Sequence, residues 1–231
     1  MANLKENRAV QDMSIREKLL SCATELFNRK GYVSTTVREI VAETGVTKPV
    51  LYYYFGNKEG IYKELMRPPF LKLEALLIEF QKKGGSAKKL LIELCDQCFA
   101  LFVENIEVAR IMYSIYYGPP QGAPFIDFDA YHMRLHDTMR QIVASGMKRG
   151  EFGKGDLESI TWALMGASTI AMEVELSHPE RGLGRKGLTR VLEVVLLGVE
   201  RKGQGAQERG HGARVKGERG EERGARKKAR N

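Results

Sequence analysis

Three groups of side chains in this sequence stand at spacings that could do chemistry together. Tyr52, Tyr53 and Tyr54 are consecutive, with Lys48 shortly before them and Lys58 shortly after. On a helix, three successive residues sweep roughly 200° of the circumference. Leu51 and Phe55 take the apolar stripe, so at least two of the phenols must project outward. Exposed phenolic donors flanked by ammonium groups suit the phosphate-lined groove of a nucleic acid. Asp129, His132 and His136 form the second group, spaced to share one helix face. Two imidazoles and a carboxylate are a competent zinc or nickel set, and the same pattern equally makes a solvated helix face. The third group, Cys95-x-x-Cys98, supplies only two ligands and lies inside an apolar helical stripe, so it reads as core or pocket lining. Catalytic chemistry is missing from this inventory. The sequence has no glycine-rich phosphate loop, no nucleophile elbow and no H-E-x-x-H, and Glu173 and Glu175 are spaced so that they do not face each other. Neither an enzyme nor a cofactor is expected.

The elements that carry these groups are helical. Ser14-Ile15-Arg16-Glu17 and Thr36-Val37-Arg38-Glu39 are capping boxes, each opening a helix. The first helix runs to Gly31, expected as its left-handed stop, and the second to Gly45. Thr47 is placed to cap a third helix with Pro49 in its first turn, and Gly56-Asn57 ends that helix and caps a fourth from Lys58. Three short helices with a glycine turn between the last two form a helix-turn-helix. In the fourth helix Pro68-Pro69 predicts a kink or break. Further helices are expected over about 86–105, 107–117, 127–149, 156–177 and 187–201, with a Gly/Pro-rich loop over 118–124. The fold class is therefore all-α, with about nine helices and no alternating strand segment.

Composition restricts the function classes further. Of 231 residues, 43% are apolar and 29% charged, the balance of a soluble globular protein. The longest apolar run near the C-terminus, Val194 to Val199, is far shorter than the ~20 residues of a membrane span. The polar N-terminus shows no secretory signal, and three cysteines do not make a disulfide framework, so a reducing cytoplasm is expected. The net charge of +8 is concentrated at one end: residues 201–231 hold 11 Lys/Arg and 4 Asp/Glu. The rest of the chain keeps 26 of the 37 basic and 25 of the 29 acidic side chains and is nearly neutral. Bulk charge thus does not by itself argue for DNA, and the case rests on local residues.

The segment TTVREIVAETGVTKPVLYYYFGNKEGIYKEL resembles the DNA-binding domain of the TetR family of bacterial repressors. Thr36, Ile40, Gly45-Val46-Thr47, Leu51-Tyr52, Phe55 and Asn57-Lys58-Glu59 carry the likeness at fixed spacing, over roughly residues 14–66. The resemblance implies that Thr36, Tyr52, Tyr54 and Lys58 meet phosphates, and that Arg38, Lys48, Pro49 and Tyr53 meet base edges. Thr36 and Thr47 can equally serve as caps. Val41 and Val50 depart from the family's pattern, which favours a small alanine at the first position and often a phosphate-facing threonine at the second.

The resemblance further implies a homodimer that reads a pseudo-palindromic operator in double-stranded DNA and releases it when a small-molecule effector binds. The expected organisation is an N-terminal arm over 1–13, the helix-turn-helix domain over 14–66, a ligand-binding and dimerisation domain over 67–202, and a basic disordered tail over 203–231. Pocket candidates are Cys98, Phe102, Ile111, Met112, Ile115, Tyr116 and Met139, each of which reads equally as core. The last two helices are expected to form a four-helix bundle with their copies, through Ile160, Leu164, Ala167, Ala171, Val174, Val191, Leu192, Val195 and Val199. A bacterial, cytoplasmic, ligand-responsive repressor is the resulting expectation. The alternatives are a metal- or thiol-sensing regulator and a ligand-independent DNA-binding module.

Overall fold

The computed structural model describes residues 14–119, 122–153 and 155–201, and within them every regular element is helical. The chain order is α1 (Ile15–Lys30), α2 (Val37–Thr44), α3 (Lys48–Phe55), α4 (Lys58–Lys82), α5 (Ala87–Glu104), α6 (Ile106–Tyr116), α7 (Phe128–Lys148), α8 (Leu157–Ser177), a single 3-10 turn (Pro179–Arg181) and α9 (Gly184–Arg201). The expected arm over 1–13 and tail over 203–231 lie outside the described residues, as do Pro120 and Gln121 of the expected loop.

The helix starts follow the predicted local chemistry except at Thr47, whose side chain makes no cap bond. Both capping boxes form, and the carboxylates of Asp127 and Asp156 accept from the backbone N–H groups of Ala130 and Ser159 at 2.9 Å each. The N-terminus of α5 is served from a distance: Glu151 accepts from the Ser86 hydroxyl at 2.9 Å and the Ala87 N–H at 2.7 Å. Gly45 ends α2 in the left-handed region, with φ 70° and ψ 17°. Gly31 does not take that conformation. Its φ of 85° comes with ψ of 160°, an extended exit that returns Tyr32 to the core. The helix expected from about Gly187 begins a turn earlier, at Gly184.

Pro68 and Pro69 do not break α4, which runs unbroken from Lys58 to Lys82. Each proline deprives one preceding carbonyl of its partner. Pro68 is exposed and Pro69 half-exposed, so neither ring is forced into a core.

Burial divides into two cores. The first gathers Leu19, Ala23, Leu26 and Phe27 of α1 with Ile40, Leu51, Phe55, and Ile61, Tyr62 and Met66 of α4. Ile111 of α6 closes it, only 1% exposed, with Val108, Met112 and Ile115 packed alongside. The second core joins Leu77 and Phe80 of α4 to α5, α7, α8 and α9. Helices α5 and α7 touch so closely that a Cβ on Gly146 would lie 2.6 Å from both the Ala87 methyl and the Phe152 ring. Thus α4 belongs to both cores and α6 crosses back to the first.

These placements bear on two groups of expected residues. The pocket candidates divide between the two cores: Ile111, Met112 and Ile115 pack on the first, whereas Cys98 and Met139 are buried in the second. Helical spacing fixes which residues share a stripe, but the neighbour that the stripe meets is set by the chain's return path. The expected dimer face is also turned. Ile160, Leu164, Ala171 and Leu192 are buried within the chain's own core, so they are not available to a partner. Ala167, Val174, Val195 and Val199 are half-buried and Val191 is exposed. The apolar side chains that do face out on these helices are Trp162, Ile170, Val191, Val194 and Leu197. Both helices are apolar on more than one face, and the stripe chosen from the sequence is largely the inward one.

Candidate nucleic-acid interface

The helix-turn-helix is held by its capping boxes and by its apolar core. Leu51 and Phe55 on one side of α3 enter the first core, which turns the opposite side to solvent. Tyr52, Tyr53 and Tyr54 are all exposed, Tyr53 to 84%, and the rings of Tyr53 and Tyr54 meet edge-on at 5.2 Å. Thr47, Lys48 and Pro49 are exposed at the start of α3, and Thr36 and Arg38 at the start of α2. Neither Arg38 nor Lys48 has a partner among the described residues. Unpaired cations beside projecting phenols form a donor-rich surface, the arrangement that accepts phosphate and base-edge oxygens.

Other charges nearby are already committed. Arg16 pairs with Glu64, Arg29 with Glu43 at 2.8 Å, and Lys30 with Glu39. The Glu39 carboxylate also accepts from the Thr36 N–H and hydroxyl at 2.8 Å each. These contacts, Lys30 foremost, hold its pKa down to about 2. Thr36 therefore spends its hydroxyl on the cap, whereas Thr47 makes no cap bond with its side chain. Lys58 is exceptional among the sequence-predicted contacts. Its Nζ turns inward and donates to the carbonyls of Tyr32 at 2.8 Å and Thr35 at 2.9 Å.

Two structural requirements of this site escape a reading of side-chain chemistry. Gly60 lies beneath the end of α3, where a Cβ would stand 1.8 Å from the Phe55 carbonyl oxygen. Only glycine lets α3 and α4 meet this closely. Ile111 completes the domain's core from the far end of the chain, and Asn28 of α1 donates to the Glu107 carbonyl at 3.0 Å and carboxylate at 2.9 Å.

The other candidate chemistries do not assemble. Asp129 accepts from the Tyr116 hydroxyl, while His136 is buried against the Trp162 ring at 4.6 Å, beside Asp137 and Glu158. His132 is exposed, and no cluster of metal-ligating side chains occurs among the described residues. Burial pushes the Cys95 thiol up to about 11 and the Cys98 thiol further, so both keep their protons at neutral pH. Of the remaining pocket candidates, Phe102 and Tyr116 belong to a chain of touching rings with Tyr113, Tyr117, Phe128, Phe70 and Tyr131. No helix among the described residues is long and apolar enough to cross a membrane.

Comparison with known proteins addresses the same segment. Residues 19–65 match the family model for bacterial regulatory proteins of the tetR family. The negative transcriptional regulator IcaR of the icaADBC biofilm operon in Staphylococcus aureus is 32% identical over 93 residues, covering 40% of this chain. That match spans about half, 48%, of the relative's own length. Among solved structures, the TetR-family regulator PfmR from Thermus thermophilus aligns over 82% of this chain and 99% of its own, with a TM-score of 0.63 and 24% identity. FadR from Bacillus subtilis, solved with stearoyl-CoA, aligns over 79% and 98% with a TM-score of 0.57 and 18% identity. These proteins are regulators and not enzymes. The capped helix-turn-helix with its outward-facing α3 thus lies in the segment that matches the tetR family model, and the helical fold is similar to that of solved TetR-family regulators.

Proposed function

We propose that this protein is a ligand-responsive transcriptional repressor that binds a pseudo-palindromic DNA operator as a homodimer in the bacterial cytoplasm. The observation that carries the reading is the outward surface of α3 and the start of α2, where Lys48 and Arg38 are unpaired among the described residues and three phenols project. In this reading Lys48, Pro49, Tyr53 and Arg38 meet base edges, Tyr52, Tyr54 and Thr47 meet phosphates, and Thr36, its hydroxyl spent on the cap, holds the start of α2 beside them. The negative role named for IcaR supports repression over activation.

A homodimer supplies the two-fold symmetry. Trp162 and Ile170 of α8, with Val194 and Leu197 of α9, form an apolar face that the chain's own core does not cover; Val194 is 69% exposed. Gly166, also exposed, allows a partner helix close approach. Two copies joined there would set their α3 helices into successive major grooves roughly 34–36 Å apart.

Effector control follows from the continuity of α4, which runs from the helix-turn-helix into the second core, and from Ile111 of α6 inside the first. The aromatic side chains Phe70, Phe102, Tyr116 and Phe128, carried by α4, α5, α6 and α7, belong to one chain of ring contacts whose surface suits an apolar effector. FadR's complex with stearoyl-CoA is consistent with an apolar ligand in this fold. By linkage, effector and operator weaken each other's binding equally. The test is Val194→Glu, examined by sedimentation and by fluorescence anisotropy on an enriched duplex. A folded monomer that no longer binds supports the reading, and an intact, binding dimer would refute this interface.

A further inference from the structure

Lys58 is the first residue of α4, so it brings a positive charge to the positive end of the helix dipole, where a cation is disfavoured. Its surroundings offset that cost. Nζ lies 2.8 Å from the Tyr32 carbonyl oxygen, 2.9 Å from that of Thr35 and 3.4 Å from that of Val33. It also stands 4.2 Å from the centroid of the Tyr32 ring. An ammonium carries three protons, and three carbonyls converge on this one. Burial first, then neighbouring Lys30, lowers the Lys58 pKa, as expected for an amine turned away from water.

The carbonyls belong to the turn over residues 31–35, between α1 and α2. Tyr32 and Thr35 are buried there, Tyr32 against the rings of Phe27 at 5.2 Å and Tyr62 at 5.3 Å. Within the turn, the Thr35 N–H donates to the Tyr32 carbonyl at 3.3 Å and the Thr35 hydroxyl to that of Gly31 at 2.9 Å. Neither bond supplies a donor for the Thr35 carbonyl, which Lys58 serves from α4. The residue after it is Thr36, the cap of α2.

We infer that Lys58 is a positioning residue of the DNA-binding machinery, clamping the Tyr32–Thr35 turn to the start of α4 and thereby fixing where the α2 N-terminus meets the DNA backbone. This rests on the nucleic-acid reading above and departs from the phosphate contact that the family resemblance implies for the same lysine. An ammonium whose protons are all directed at carbonyls has none left for a phosphate oxygen. The clamp also joins α2 to α4 as one body, so a displacement of the start of α4 carries α2 with it.

Two measurements on the full chain test the role. In the first, reductive methylation of lysines is followed by mass spectrometry with and without a duplex enriched from a random pool. The clamp predicts that Lys58 is protected in both states while Lys48 is protected only on DNA. A Lys58 that reacts like Lys48 would overturn the inference whatever any variant does. In the second, Lys58→Met keeps the apolar stem and removes the charge. Affinity should fall about tenfold with the salt slope unchanged, and phosphate-ethylation interference should fade at the phosphates facing α2. A slope reduced by about 0.9 per protomer, with interference lost only beside α4, would mark a direct phosphate contact and refute the clamp. A wild-type chain that enriches no duplex would remove the nucleic-acid reading, and the positioning role with it, even if methylation still found Lys58 protected.

Discussion

At the scale of single residues, the surface of α3 separates recognition from stability. Tyr53 is 84% exposed and supports no core, so Tyr53→Ala should leave thermal unfolding within the small range usual for surface changes. The same change should cost roughly 1–3 kcal/mol of discrimination at one operator position, the usual worth of a lost base contact. Competition titrations with single-base operator variants measure it, and uniform weakening at every position would assign Tyr53 to the backbone instead. Glu39 makes the opposite prediction, because its work is structural. Its folded pKa is about 2 against an ordinary 4.5, so its contribution is present above the ordinary value and is lost as pH falls from about 4.5 to about 2. Melting temperature should therefore fall more steeply over that window in the wild type than in Glu39→Gln, and parallel curves would contradict the assigned cap. The caps and the outward phenols were legible in the sequence because both depend on neighbours within four residues. The inward turn of Lys58 was not, since its acceptors are supplied by a turn more than twenty residues earlier.

At the scale of elements, tight contacts decide which helices can be neighbours. Gly60→Ala would press a methyl group against the Phe55 carbonyl, an obstacle that is backbone and cannot rotate away. The expected loss is at least the ~1–3 kcal/mol of an overpacked core, read by chemical denaturation. A neutral result would mean that α3 and α4 meet less closely. Ile111→Ala should cost about 2–5 kcal/mol and loosen the helix-turn-helix although it lies in α6, which hydrogen exchange across α1 can show. Unchanged protection in α1 would argue that α6 is not part of that core. Helix positions were readable from caps, glycine stops and the 3.6-residue stripe. The facing of each helix was not: α6, α8 and α9 carry apolar residues on more than one side, and only the packed chain shows that Ile111 turns to α1 and Leu192 inward. Pro68-Pro69 misled because a proline removes single bonds of the ladder, and the packing of α4 into a core on either side of them keeps the helix continuous.

At the scale of the whole molecule, α4 belongs to both cores and α6 packs on the first, and the proposed effector control would act through these two helices. In the proposed mechanism, an effector that moves the protein from almost wholly bound to almost wholly released would have to prefer one state by ~10⁴-fold, or about 5.5 kcal/mol. In the proposed dimer, the exposed side chains of Trp162, Ile170, Val194 and Leu197 would supply the two-fold contact that a pseudo-palindrome needs. The central claim is that a dimer of this chain reads double-stranded DNA through paired α3 helices. Selection of bound duplexes from a random pool, followed by sequencing, tests it most directly. The account predicts enrichment of an inverted repeat whose half-sites are centred roughly 10 base pairs apart or a multiple of that, with Lys48→Ala changing the preferred base within each half-site. A pool that emerges unenriched, or enriched only for a single half-site without a mirrored copy, would contradict it.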